Sequence, residues 1–114
     1  MTVPPFELRS SRTDGTLIVD VVGEIDMATA PELAAAIGAA DDGVQRVVVD
    51  LSDVSFLDSS ALNALVQCQR TLAESEIDLR VVSPADRVVR RVFEITRLIG
   101  PLNIVESLDD ALAS

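Results

Sequence analysis

Residues Val47-Val48-Val49-Asp50-Leu51 form a near-continuous apolar run, and a short chain has few ways to bury one. A strand with one wet face alternates apolar and polar residues, whereas an unbroken run marks a central strand covered on both sides. At 114 residues there is room for one domain around such a strand, so residues 1–114 are read as a single domain with a loose end over 1–5, where Pro4 and Pro5 fall. The remaining apolar residues are mostly Val, Leu, Ile and Ala, and only Phe6, Phe56 and Phe93 are aromatic. Short branched side chains suit parallel strands packed under helices. A chain of this size buries roughly two thirds of its unfolded surface, enough for one core without disulfides or metals.

The other elements follow from local chemistry. Residues 6–11 and 16–25 read as strands of a hairpin, joined at Thr13-Asp14-Gly15, since Asp and Gly tolerate left-handed backbone angles. Thr29 and Glu32 have capping-box spacing ahead of a helix whose apolar face is Leu33, Ala36, Ile37 and Ala40; Pro31 is tolerated in the first turn, where its missing N–H would be unpaired anyway. After the apolar run, a short connection through Val54, Phe56 and Leu57 leads to a helix over 58–73 with an inner stripe of Ala61, Leu65, Cys68 and Leu72. Residues 79–82 form a strand, and Ser83-Pro84-Ala85-Asp86 repeats the capping pattern before a helix lined by Val88, Val89, Val92 and Phe93. Gly100-Pro101 breaks the chain, Ile104-Val105 is a short strand, and Ser107 caps a final short helix. The order β-β-α-β-α-β-α-β-α implies an α/β fold, a mainly parallel central sheet with an N-terminal antiparallel edge hairpin and helices packed against it.

Charge and composition exclude several functions. Nine basic residues, all Arg, stand against nineteen acids, for a net charge of −10. Nucleic-acid binding needs a basic face to displace phosphate counterions, so none is expected. Arg87, Arg90, Arg91 and Arg97 share one short stretch, read as a solvated helix face rather than an anion site. The chain has no His, which rules out a Ser-His-Asp triad and any His-containing metal site. It also has no Gly-rich phosphate loop and no convincing carboxylate pair, so neither an enzyme nor a cofactor is expected. The lone Cys68 reads as a small core residue. With no membrane-length apolar run and no signal-peptide pattern, no membrane insertion is expected and the cytoplasm is the default location.

The sharpest local feature is Phe56-Leu57-Asp58-Ser59-Ser60-Ala61-Leu62. It sets two hydroxyls at a helix N-terminus just after a strand, where unpaired N–H groups and the helix dipole favour negative charge. From spacing alone, the favoured reading is that Asp58 and Ser59 merely cap the helix, and the pattern by itself does not identify a switch.

The segment Gly23-Glu24-Ile25-Asp26-Met27-Ala28-Thr29-Ala30-Pro31-Glu32-Leu33 resembles the opening motif of STAS-domain anti-sigma factor antagonists, a bacterial family. Residues 48–60, ending Leu57-Asp58-Ser59-Ser60, resemble their phosphorylation motif; Val81-Val82-Ser83-Pro84 and Arg90-Arg91-Val92-Phe93-Glu94 resemble the later strand and helix. The resemblance covers nearly the whole chain in order. It implies a STAS fold and a partner-switching role in transcription regulation. Such a protein binds an anti-sigma factor that is also a serine kinase with a GHKL-type ATP site, thereby freeing a sigma factor. The kinase phosphorylates the serine after the aspartate, here Ser59, the complex falls apart, and a phosphatase resets it. Carried over residue by residue, Ser59 is the phosphoacceptor and Asp58 caps and orients the helix. Asp26, Thr29 and Pro31 line the partner surface, which Ser60, Ala61 and Leu62 extend. The family usually has Gly at positions 61 and 63, where this chain has Ala61 and Asn63. The Ala61 methyl either narrows the approach to Ser59 or faces the core in line with Leu65. The alternative role is a non-phosphorylated STAS subunit of a membrane lipid transporter ATPase.

Overall fold

The computed structural model describes residues 5–113; most of the expected loose end lies outside this range. A five-stranded sheet in the order β1-β2-β3-β4-β5 runs through the molecule. Strands β1 (Glu7–Thr13) and β2 (Thr16–Ile25) form the antiparallel hairpin, closed by a turn in which Asp14 and Gly15 both have positive φ. Strands β3 (Arg46–Leu57), β4 (Asp78–Val82) and β5 (Ile104–Val105) are then added in parallel, each after a helical crossover. The helices are α1 (Ala30–Gly38), α2 (Ser59–Glu74), α3 (Val88–Ile95) and α4 (Leu108–Leu112).

Burial explains the apolar run. Val47 and Val49 lie in the main core with Leu17, Val19, Leu33, Ile37, Leu65 and Phe93, whereas Val48 lies in a smaller cluster with Val82 and Ala111. One face of the sheet is therefore covered by α1, α2 and α3, and α4 covers part of the other. Both faces of β3 are dry at its centre, as a continuous apolar run requires.

The structure corrects the length of β3. The segment read as a connection through Val54, Phe56 and Leu57 is strand, and β3 continues beside β2 to Leu57. Two register shifts hid it. Asp20 pairs with Asp50 but Val22 with Asp53, and Gly23 pairs with Val54 but Glu24 with Phe56. Each shift gives β3 one more residue than β2, a bulge that breaks the alternation of buried residues. Gly23 sits at the second shift with φ +99°, a backbone angle that a side chain would strain. Strand β4 pairs only with residues 46–50, so residues 51–57 have no strand on that side, and α3 packs against β3.

Two capping expectations also change. Thr29 is the N-cap of α1 but its side chain makes no cap hydrogen bond, because the hydroxyl is used within the preceding loop. Helix α3 begins at Val88 after Arg87, not after Ser83, which is buried as the chain leaves β4. At α4 the Ser107 hydroxyl accepts from the Asp110 N–H at 3.1 Å, as expected.

Candidate functional site at the carboxyl edge of the sheet

Strand β3 ends at Leu57 and α2 starts at Ser59, leaving Asp58 as the joint. The extended backbone of Asp58 aims its carboxylate back over the helix: Oδ1 accepts from the Ser60 N–H at 2.9 Å and the Ala61 N–H at 3.2 Å. Two of the first-turn N–H groups that no helix can satisfy internally are thus occupied. Ser59, the first helical residue, is exposed, and no side-chain hydrogen bond ties it down among the described residues. The capping aspartate leaves the adjacent hydroxyl free, at the positive end of a 16-residue helix.

The neighbouring loop, between β2 and α1, is closed by its own hydrogen bonds. Asp26 Oδ1 accepts from the Ala28 N–H at 2.9 Å and the Thr29 N–H at 3.1 Å. In return the Asp26 N–H donates to Thr29 Oγ1 at 2.9 Å. The Thr29 hydroxyl lies 3.2 Å from both Glu24 O and Asp26 Oδ1, either of which can take its proton. The Thr29 and Ala28 backbone N–H groups hold the Asp26 carboxyl below its usual titration range, so it is ionised at neutral pH. The loops are joined where the Asp58 N–H donates to Ile25 O at 3.2 Å. Asp26 and Asp58 thereby bring two carboxylate-bearing loops to the same edge of the sheet.

The expected contact residues divide by exposure. Pro31 is exposed, Ser60 is half-buried, and both line a shallow open hollow of about 280 Å³ between α1 and α2, together with Met27, Ala30 and Asn63. Leu62 is half-buried and packs against the main core. Ala61 is 0% exposed, so its methyl faces the core with Leu65 and Leu72, and its expected part in extending the partner surface is corrected. Its backbone N–H stays in the site as a donor to Asp58. Cys68 is half-buried against the core, and burial pushes its thiol pKa up, which leaves it a protonated, weakly reactive group.

Two apolar side chains at this edge escaped the sequence reading. Met27 is 77% exposed in the first loop, and Phe56 is 48% exposed two residues before Asp58. The two bulges of β3 concealed which way Phe56 faces; Met27 carried no signal except its place in the loop. Among the described residues no group of three or more acidic or Cys side chains could hold a metal ion, and no helix is long and apolar enough to cross a membrane.

The STAS domain family model matches residues 7–111. An anti-sigma-B factor antagonist of Staphylococcus aureus is 33% identical over 91% of this chain and 96% of its own length. The crystal structure of an anti-sigma factor antagonist from Mycobacterium paratuberculosis superposes with a TM-score of 0.82 at 37% identity, covering 95% of this chain and 92% of that one. A Bacillus cell fate determinant, solved in its phosphorylated form, has a TM-score of 0.69 at 23% identity, covers 93% of this chain and 94% of its own, and shares the fold.

Proposed function

The chain belongs to the STAS domain family, and on that premise we propose that it is an anti-sigma factor antagonist switched off by phosphorylation of Ser59. It acts by binding rather than by turnover. Its partner is an anti-sigma factor with serine kinase activity, which it engages at the edge formed by Asp26, Thr29, Pro31, Asp58, Ser60 and Leu62. Binding frees a sigma factor, in the cytoplasm. A phosphatase restores the binding form.

The observation that carries this reading is the freedom of Ser59 beside an occupied cap. The Ser60 and Ala61 N–H groups already serve Asp58. A phosphate on Ser59 would find those donors taken and would add about −1.5 to −2 charges beside the loops that carry Asp58 and Asp26. Such charge is costly to desolvate against a partner's carboxylates or nucleotide. The unmodified hydroxyl carries no such cost, so one chemical step changes affinity with no refolding of the helix.

Incubation with the anti-sigma kinase of its own organism and ATP should add one phosphate, located by peptide mass spectrometry, and Ser59→Ala should abolish it. Ser59→Ala should still bind the kinase, while Ser59→Asp should bind more weakly. Phosphate found only on Ser60, or equal affinity of all three proteins by calorimetry, would overturn the assignment.

A further inference from the structure

A phosphate on Ser59 needs hydrogen-bond donors, and its own helix leaves few. The Ser60 and Ala61 N–H groups already donate to Asp58 Oδ1, at 2.9 and 3.2 Å. The one arginine of α2, Arg70, lies about three turns further along the helix. A side-chain amide stands much nearer. Asn63 is exposed and lines the open hollow between α1 and α2 together with Met27, Pro31 and Ser60. No side-chain hydrogen bond occupies its amide among the described residues. At about 100° per residue, Asn63 lies about 40° round the helix from Ser59 and about 60° from Ser60, on the side between them. It therefore sits one turn below both hydroxyls, on the flank of the helix that carries them.

Helix geometry points this amide at the phosphate. Helical side chains lean toward the N-terminus, over the turn before their own Cα. Residues four apart have Cβ atoms about 5–6 Å from each other, near enough for an amide on the second to donate to an acceptor on the first. Phosphorylation replaces a short hydroxyl by three acceptor oxygens carried further out. We propose that the Asn63 side-chain amide is the donor that holds a phosphate on Ser59, turned toward the hollow between α1 and α2. The proposal rests on the reading of Ser59 as the phosphoacceptor and gives that phosphate a direction. Held from Asn63, the charge stands over the surface formed by Met27, Pro31 and Ser60 instead of out in solvent, so a partner closing on that surface must desolvate it. In the unmodified protein the same amide is a neutral, solvated group and imposes no such cost. Asn63 is thus a positioning residue, acting on affinity through the phosphate.

Phosphoserine installed at position 59 of the full chain during translation makes the test independent of any kinase. A donor to the phosphate favours its dianion, so the second phosphate pKa, followed by phosphorus NMR, should lie roughly half a unit lower with Asn63 than with Asn63→Ala. Asn63→Gln keeps the donor on a longer arm and should recover part of the difference. The carboxyls of Asp26 and Glu32 on the α1 side, and of Asp58 before α2, are common to all these proteins and drop out of the comparison. The side-chain amide signals of Asn63 should move when position 59 carries the phosphate. Identical phosphate pKa values in wild type and Asn63→Ala would overturn the contact. So would a response confined to the Ser60 and Ala61 backbone amides, since the phosphate would then have displaced Asp58 from the cap. Calorimetry with the purified anti-sigma kinase tests the consequence: phosphorylation should cost several-fold less affinity in Asn63→Ala than in wild type, and an equal cost would overturn the positioning role. Transfer by the kinase to Ser60 alone would overturn the Ser59 reading, and the pKa difference in the installed phosphoprotein would show that the Asn63 contact survives it.

Discussion

Ala61 shows how one methyl group can be read two ways until its direction is known. Its place directly after Ser59-Ser60 suggests a gate on phosphate transfer, and its spacing from Leu65 and Leu72 suggests a core position. The structure gives the second: the side chain is fully buried while the N–H serves Asp58. Ala61→Gly should therefore lower stability by about 1–2 kcal/mol, from lost helix propensity and one buried methyl. Phosphate transfer to Ser59 should be unchanged or slower. Melting temperature and initial transfer rate, measured on the same variant, separate the cases; a faster transfer would return the methyl to the kinase interface. Asp58 was readable from sequence because an aspartate before a helical stripe has one strong use. Thr29 was not. Its capping-box spacing with Glu32 is genuine, but Asp26 competes for the same hydroxyl from the other side and wins it with an N–H at 2.9 Å.

At the scale of elements, every strand and helix was legible in order, because each has its own punctuation: Asp14-Gly15, Pro31, Asp58, Gly100-Pro101, Ser107. Length was legible only where the period was regular. Strand β3 buries Val47, Val49 and Leu51 at a spacing of two and then Val54 and Leu57 at a spacing of three, so alternation fails at the bulges although the strand does not. The start of α3 was placed too early for a different reason: Ser83 is drawn inward by β4, with its N–H given to Val105 O at 2.9 Å, before the chain can turn into a helix. The short α4 depends on tertiary ties. Five residues cannot sustain a helix alone, and here Arg46 and Arg80 both donate to Ala111 O, at 3.3 and 3.1 Å, with Arg80 also reaching Ala113 O. Arg80→Ala should release α4 first. Its amides should exchange hydrogen much faster while those of residues 47–49 stay protected, as local opening requires. A uniform loss of protection along the chain would show instead that α4 and the sheet unfold as one unit.

For the molecule as a whole, the distribution of charge matters more than its total. The described ion pairs engage Arg12, Arg46, Arg80 and Arg90, and Asp78 serves two of them. Most of the nineteen acids are therefore left to repel one another. Crowding acts at Asp20, which pairs with Asp50 on the adjacent strand: partial burial, then the charges of Asp50 and Asp53, push its carboxyl above the usual range, against the pull of Arg9. A group with a raised folded pKa favours the folded state while protonated and loses that contribution as pH rises through the folded value. At neutral pH Asp20 is thus a charge the fold tolerates rather than exploits. Repulsion of this kind is long-ranged and yields to salt, since the screening length falls to about 10 Å at 0.1 M. Raising NaCl from about 10 mM to about 0.15 M should therefore raise the melting temperature of the free protein. A melting temperature that does not move would mean that the acids are already neutralised locally.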